Sequence, residues 1–161
     1  MTHFARAPER FARRSSHRLL SLLLVAAAAV AASTAWGGGC AVSTQGVDFG
    51  TYNPLGRQDQ DSAGNVAVTC DAGIAYSIAL SPGSGIGGAR ALRSGAHVLN
   101  YNLFTDSTHL SIWGDGSGGT SVVAGSGTGS MTNVPVYGRV PGAQNVASGS
   151  YADDIVITVN F

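Results

Sequence analysis

The 161-residue chain holds nine basic and nine acidic residues and is neutral overall, yet five of its nine arginines stand in the first eighteen positions and it has no lysine. From residue 36 onward four arginines meet eight aspartates, a net charge of −4, which excludes the basic face that nucleic-acid binding requires. All 23 glycines follow that opening, beside abundant Ser, Thr and Val, a composition that disfavours helices and favours short strands joined by turns.

The opening reads as an export signal. Arg6, Arg10, Arg13, Arg14 and Arg18 form a basic leader opposed only by Glu9, and Leu19 to Ala32 is apolar apart from Ser21. Fourteen helical residues reach about 21 Å, short of a bilayer core of about 30 Å. Ser33-Thr34-Ala35 places small residues at a cleavage site before Trp36, so residues 1–35 are expected to be removed. The remaining 36–161 is one domain with a core of its own, not membrane-spanning once the signal is gone. Arg13-Arg14 lacks the apolar residue a twin-arginine signal carries next, and Cys40 lacks the aliphatic residue three places before it that a lipoprotein site carries. Cys40 and Cys70 are the two cysteines of an exported chain, so a disulfide is expected. Two distant cysteines without a nearby His make no metal site.

In chain order, Cys40–Thr44 and Val47–Tyr52 read as a first strand broken at Gln45-Gly46. Asn53–Gly56 is a turn and Arg57–Gly64 a polar loop. Asn65–Cys70 and Ile74–Leu80 alternate as second and third strands around the Asp71–Gly73 turn. Ser81–Gly88 is a glycine loop. Ala91–Arg93, Val98–Thr105, Leu110–Trp113, Ser121–Val123 and Met131–Val140 follow, Pro135 marking the last of these as an edge or a bulge. Turn signals every eight to twelve residues between seven or so short strands predict an antiparallel β-sandwich.

The most committed strand is the last. In Gly149–Phe161, Tyr151, Ile155, Ile157, Val159 and Phe161 fall on alternate positions with Asp153 the one break in the row, the period-two pattern of a half-buried strand. Asp153-Asp154 is expected to cap the start of that strand and deter pairing at its edge. A chain that ends on such a strand needs a cover for its edge.

No catalytic, cofactor-binding or metal-binding residue is assigned. Gly83–Gly88 and Gly114–Gly119 both spell GxGxxG, but neither opens the amphipathic helix that phosphate binding uses. Asp59–Gly64 starts like a calcium loop, but Ala63 and Cys70 stand where ligands belong. Asp106, His109 and Asp115 can be drawn as an acid–base cluster; solvated loop residues are the plainer reading. No G-x-S-x-G elbow is present. Tyr76, Tyr101, Phe104, Trp113, Tyr137, Tyr151 and Phe161 are spaced as core rather than as a stacking platform.

Taken together, Cys40–Ser43, Val47–Leu55, Val66–Cys70, Leu99–Asp106, Ile112–Gly116, Val136–Val140 and Gly149–Val159 resemble the spore coat protein U domain family, which includes the pilins of archaic chaperone–usher pili. The resemblance runs from Cys40 to Phe161. It implies an all-β, immunoglobulin-like antiparallel β-sandwich lacking its last strand. The partners it implies are a periplasmic chaperone that lends a strand, an outer-membrane usher, and a neighbouring subunit whose extension replaces the chaperone's strand. By analogy, Tyr151, Ile155, Ile157, Val159 and Phe161 line the acceptor groove.

Family rod pilins carry a donor segment before the first cysteine, where this chain holds Trp36–Gly39. An accepting subunit that does not donate fits a fibre tip, which makes the first reading an exported, non-enzymatic surface-fibre subunit serving attachment. The alternative is a self-complete spore-coat, cell-coat or secreted binding domain that does not polymerise, its sheet closed by the first strand, Cys40 to Tyr52.

Overall fold

The computed structural model describes residues 38–86 and 88–161. The predicted export signal, its cleavage site and Trp36 lie outside them. Eight strands make up the domain: β1 (Cys40–Gln45), β2 (Gln60–Cys70), β3 (Ala75–Leu80), β4 (Arg90–Ser94), β5 (His97–Phe104), β6 (Val123–Ser126), β7 (Met131–Val140) and β8 (Ile157–Asn160). None of the described residues is helical. All strand ladders are antiparallel and form a five-stranded sheet, β1-β2-β7-β5-β4, and a three-stranded sheet, β6-β3-β8. This is the expected immunoglobulin-like sandwich.

Between the sheets lies one core. Val66, Val68, Leu99, Tyr101, Leu103, Val136 and Val140 of the large sheet face Tyr76, Ile78 and Leu80 of the small one. The strand period of two sorts the residues: β3 reads Tyr76, Ile78 and Leu80 inward, while Ala75, Ser77 and Ala79 are more exposed. Trp113 enters from the loop before β6, is fully buried, and donates its indole N–H to the Ile78 carbonyl at 3.0 Å. Satisfying that donor lets the largest side chain sit in the core.

Several boundaries differ from the sequence reading. β2 starts at Gln60, so the second half of the expected polar loop is strand. Its polar residues find partners: Gln60 Nε2 and Ser62 Oγ donate to the carbonyls of Phe49 and Asp48 in the segment after β1, and Asp61 accepts from Arg139 across the sheet. Leu110–Trp113 makes only isolated bridges, Ile112 with Phe104 and Trp113 with Ser121. Pro135 sits in β7, between β2 and β5 in the sheet order. The β5 ladder reaches only Tyr137, so Pro135 lies past it with β2 as its one partner. That position requires no second N–H donor.

The Cys40–Cys70 disulfide forms as expected, joining directly opposed residues of β1 and β2 whose Cα atoms are 4.1 Å apart.

Candidate functional site

The small sheet is narrower than the large one, and the difference is exposed beside β8. Beyond Gln45 the chain leaves the β1–β2 ladder and runs on to Tyr52 with a turn at Gly50, dipping Val47 and Phe49 toward the core. Phe49 meets Tyr101 edge-on, ring centroids 5.8 Å apart. Gly138 of β7 permits this passage: a Cβ there would stand 2.7 Å from Phe49 Cζ and 2.8 Å from a Val47 methyl.

On the opposite side the C-terminal segment crosses from one sheet to the other. Ala152 exchanges two backbone hydrogen bonds with Arg93 of β4, at 2.8 and 3.1 Å. From Ile157 onward the chain pairs with β3 instead. The strand proper is therefore four residues, shorter than the expected thirteen-residue run, because β3 ends at Leu80 and Ser81-Pro82 offers no further ladder. At the junction Ser81 N–H donates to Val156 O at 2.9 Å and Val156 N–H donates to Ser81 Oγ at 2.9 Å.

Those bonds settle which way the backbone of β8 points. Antiparallel pairs alternate between bonded and non-bonded. Val156 is bonded to Ser81, and Leu80, opposite Ile157, directs its N–H instead to Gly114 O at 3.0 Å. Thr158 and Asn160 thus face β3, while Ile155, Ile157 and Val159 direct N–H and C=O to the free edge. No described residue pairs with that edge. The same three residues turn their side chains inward and pack on the core.

Between these two segments the molecule is open. A cleft of about 220 Å³ is walled by Thr44–Val47 and Phe49 on one side and Asp153, Ile155 and Ile157 on the other. Its floor is Val66, Leu80, Leu92, Tyr101, Leu103 and Val136. It continues into a wider opening of about 880 Å³ between Val47–Tyr52 and Val146–Asp153. The two share Val47, Phe49, Leu92 and Asp153, so they form one groove.

Of the residues singled out in the sequence, Tyr151 lines the wider part and donates its hydroxyl to Ala147 O at 2.8 Å. Ile155 and Ile157 line the narrower part, and Val159 continues their inward row. Phe161 follows β8 and is 63% exposed, outside the core cluster. Val47, Phe49, Leu92 and Tyr101 were not singled out as groove residues. The sequence placed Val47–Tyr52 in an interrupted first strand, but not which edge it would face.

Asp153, the polar break in the alternation, lies on the same inward row as Ile155 and Ile157. Its Oδ1 accepts from Ser84 N–H at 2.8 Å and Asp154 N–H at 3.0 Å, and its Oδ2 accepts from the Tyr101 hydroxyl at 2.8 Å. Burial first, and then this bond to Asp153, pushes the Tyr101 phenol pKa up, which keeps it a donor. Arg90, 2% exposed, donates to the carbonyls of Ser81 and Trp113 at 2.7 to 3.2 Å. Burial lowers its pKa, and the nearby Tyr101 and Asp153 work against that shift.

The drawn acid–base cluster is not assembled. Asp106 accepts backbone N–H bonds from Thr108, Leu110 and Ser111, and Asp115 caps its own turn through Ser117. His109 packs edge-on against Phe104 and Tyr137, with Asp61 as its nearest ionic partner at 3.8 Å. Asp59 and Asp61 are held by Arg139, Asp61 through two 2.7 Å bonds. Among the described residues no helix is long and apolar enough to cross a membrane.

Comparison with known proteins gives the chain a family context. The chain is 34% identical over 143 residues to Protein U of Myxococcus xanthus, spanning 78% of this chain and 79% of that protein. Its fold is similar to a chain in the crystal structure of the CsuC–CsuE chaperone–tip adhesion subunit pre-assembly complex from the archaic chaperone–usher Csu pili of Acinetobacter baumannii. There the TM-score is 0.54 and the identity 22%, over 77% of this chain and 40% of that one. The spore coat protein U domain matches residues 26–158, starting within the stretch read as the export signal. The chain belongs to the spore coat protein U domain family.

Proposed function

We propose that the protein is an exported, non-enzymatic structural subunit of a surface fibre, completed by a β-strand supplied from another chain. The observation that carries this is the free edge of β8. Ile155, Ile157 and Val159 present unpaired backbone groups to the edge and apolar side chains to an uncovered floor. An inserted strand would gain main-chain hydrogen bonds along the edge and bury alternate side chains in the cleft, the mode of β-strand addition. The occupants proposed are first a periplasmic chaperone and then a neighbouring subunit, with assembly at an outer-membrane usher and display at the cell surface for attachment. Family membership and the fold shared with a chaperone–usher pilus complex support this reading.

With cleavage before Trp36, the four residues Trp36 to Gly39 precede Cys40, which supports a tip position for a subunit that accepts a strand without lending one. Sequencing the N-terminus of the exported protein tests that placement. The self-complete alternative requires the stretch from Cys40 to Tyr52 to close the sheet. Of that stretch Cys40–Gln45 pairs with β2, and no described ladder joins any of it to β8.

The test is capture. Ile157→Asp places a charge in the cleft wall and is expected to abolish co-purification with the periplasmic chaperone. Unchanged capture sinks the groove assignment. Thermal unfolding of the exported protein alone provides the second reading: one cooperative transition of a soluble monomer favours a self-complete coat domain. Aggregation relieved by a strand peptide favours the fibre subunit.

A further inference from the structure

We propose that Asp153 selects the strand that fills the groove by requiring a hydrogen-bond donor, a Ser, Thr or Asn side chain, at one fixed position of an otherwise apolar alternation. The proposal rests on the strand-acceptor reading above and adds to it the chemistry of the occupant.

Asp153 is the one charged residue lining the narrower part of the groove, and it also lines the wider part, so a strand running through both passes over it. Its acceptor capacity is nearly used. An ionised carboxylate offers about four lone-pair sites. The Ser84 and Asp154 N–H groups fill the two on Oδ1, and the Tyr101 hydroxyl takes one on Oδ2. One acceptor position on Oδ2 has no protein donor, and Asp153 is partly exposed. A strand laid over the groove excludes solvent. An apolar side chain there leaves a desolvated carboxylate short of a partner, an unfavourable state; a hydroxyl or amide donor completes it.

The position cannot drift. Asp153 lies where the terminal segment changes partner, between Ala152, bonded to Arg93, and Val156, bonded to Ser81. Ser84 holds its carboxylate from the β3–β4 loop, and a Cβ on Gly83 of that loop would clash with the same carboxylate group. Flanking apolar contacts at Ile155 and Ile157 alternate with fixed period. A strand out of register by one residue would therefore turn its apolar row outward, and one out by two would set an apolar side chain on Asp153. Asp153 thus reads register as well as composition.

The experiment refolds the full chain in the presence of fluorescent peptides about a dozen residues long. Each is an alternating valine host in which one inward valine at a time is replaced by serine, with binding read by anisotropy. The expected result is a single position where serine binds about tenfold more tightly than valine, equivalent to about 1.4 kcal/mol. In Asp153→Val that preference is expected to invert at the same position and nowhere else. Tyr101→Phe frees a second acceptor site on Oδ2 while keeping the ring, and is expected to sharpen the serine preference; it serves as the readout if Asp153→Val does not fold. Peptides that bind with valine preferred everywhere, or a serine preference that survives in Asp153→Val, overturn the selection role alone. Binding by no peptide overturns the strand-acceptor reading itself.

Discussion

β1 is held to the domain by unusually little, which makes the disulfide a sensitive point. Ala41 to Gln45 are all exposed, so apolar burial contributes little to keeping the strand in place. Its restraints are the ladder to β2, the Gly39–Asp71 bonds of 3.0 and 3.2 Å, and the Cys40–Cys70 link. Cys40→Ser removes the link with least disturbance, because Cys70 is the buried partner, 2% exposed, and stays in place. The closed loop spans 30 residues, for which the chain-entropy relation gives about 3.5 kcal/mol at 25 °C. A domain of this size is stable by roughly 5–15 kcal/mol, so the loss is a large fraction of the total.

The corresponding drop in Tm is roughly 10–20 °C. Circular dichroism melting of the oxidised protein and of Cys40→Ser measures it, on the chaperone- or peptide-bound form if the free protein aggregates. Amide exchange should show Ala41–Gln45 losing protection first, with Val47–Tyr52, the groove wall that follows β1, loosening in turn. A Tm within about 3 °C of the parent, together with unchanged exchange in β1, would refute the claim that the disulfide holds this wall.

Other perturbations probe other parts of the structure. Gly138→Val drives a side chain into Phe49 and Val47; a destabilisation of about 1–3 kcal/mol and weakened chaperone capture are expected, and normal capture would detach the 46–49 segment from the groove. Trp113→Phe leaves the Ile78 carbonyl without its indole donor and opens a void in a fully buried site, at a cost of about 1–3 kcal/mol in denaturant titration. Hydrogen bonds from Arg139 hold the Asp61 carboxyl below its ordinary value of 3.8. A depressed folded pKa stabilises above the unfolded value and that contribution is lost as pH falls through the folded one. Arg139→Gln is therefore expected to lose under about 1 kcal/mol at neutral pH, the pair being largely exposed, and to show a shallower loss of stability below pH 3.8. An unchanged acid limb would dismiss the ion pair as a contributor.

Alternation and turn residues, both local properties, were enough to place β3, β5 and β7 within a residue or so, along with the two-sheet class and the terminal inward row. Where the reading failed, a partner was the cause. Gln60–Gly64 looks like a loop until β7 lies beside it and Arg139 meets Asp61. Leu110–Trp113 looks like a strand, yet no neighbour offers it a ladder. The Cys40–Cys70 pairing followed from export and from there being two cysteines; their direct opposition needed the β1–β2 register.

For the candidate site the division is sharper. The sequence by itself determined that Ile155, Ile157 and Val159 share a face with Asp153, because side-chain direction along an extended chain depends only on parity. It could not determine that their backbone edge is free, nor that Val47 and Phe49 stand across from them, because strand order and spacing are set by contacts between distant segments. Nor could it name the partners of Asp153. A charged residue on an apolar row reads as a break, and only the fold brings Ser84 and Tyr101 to it beside the groove.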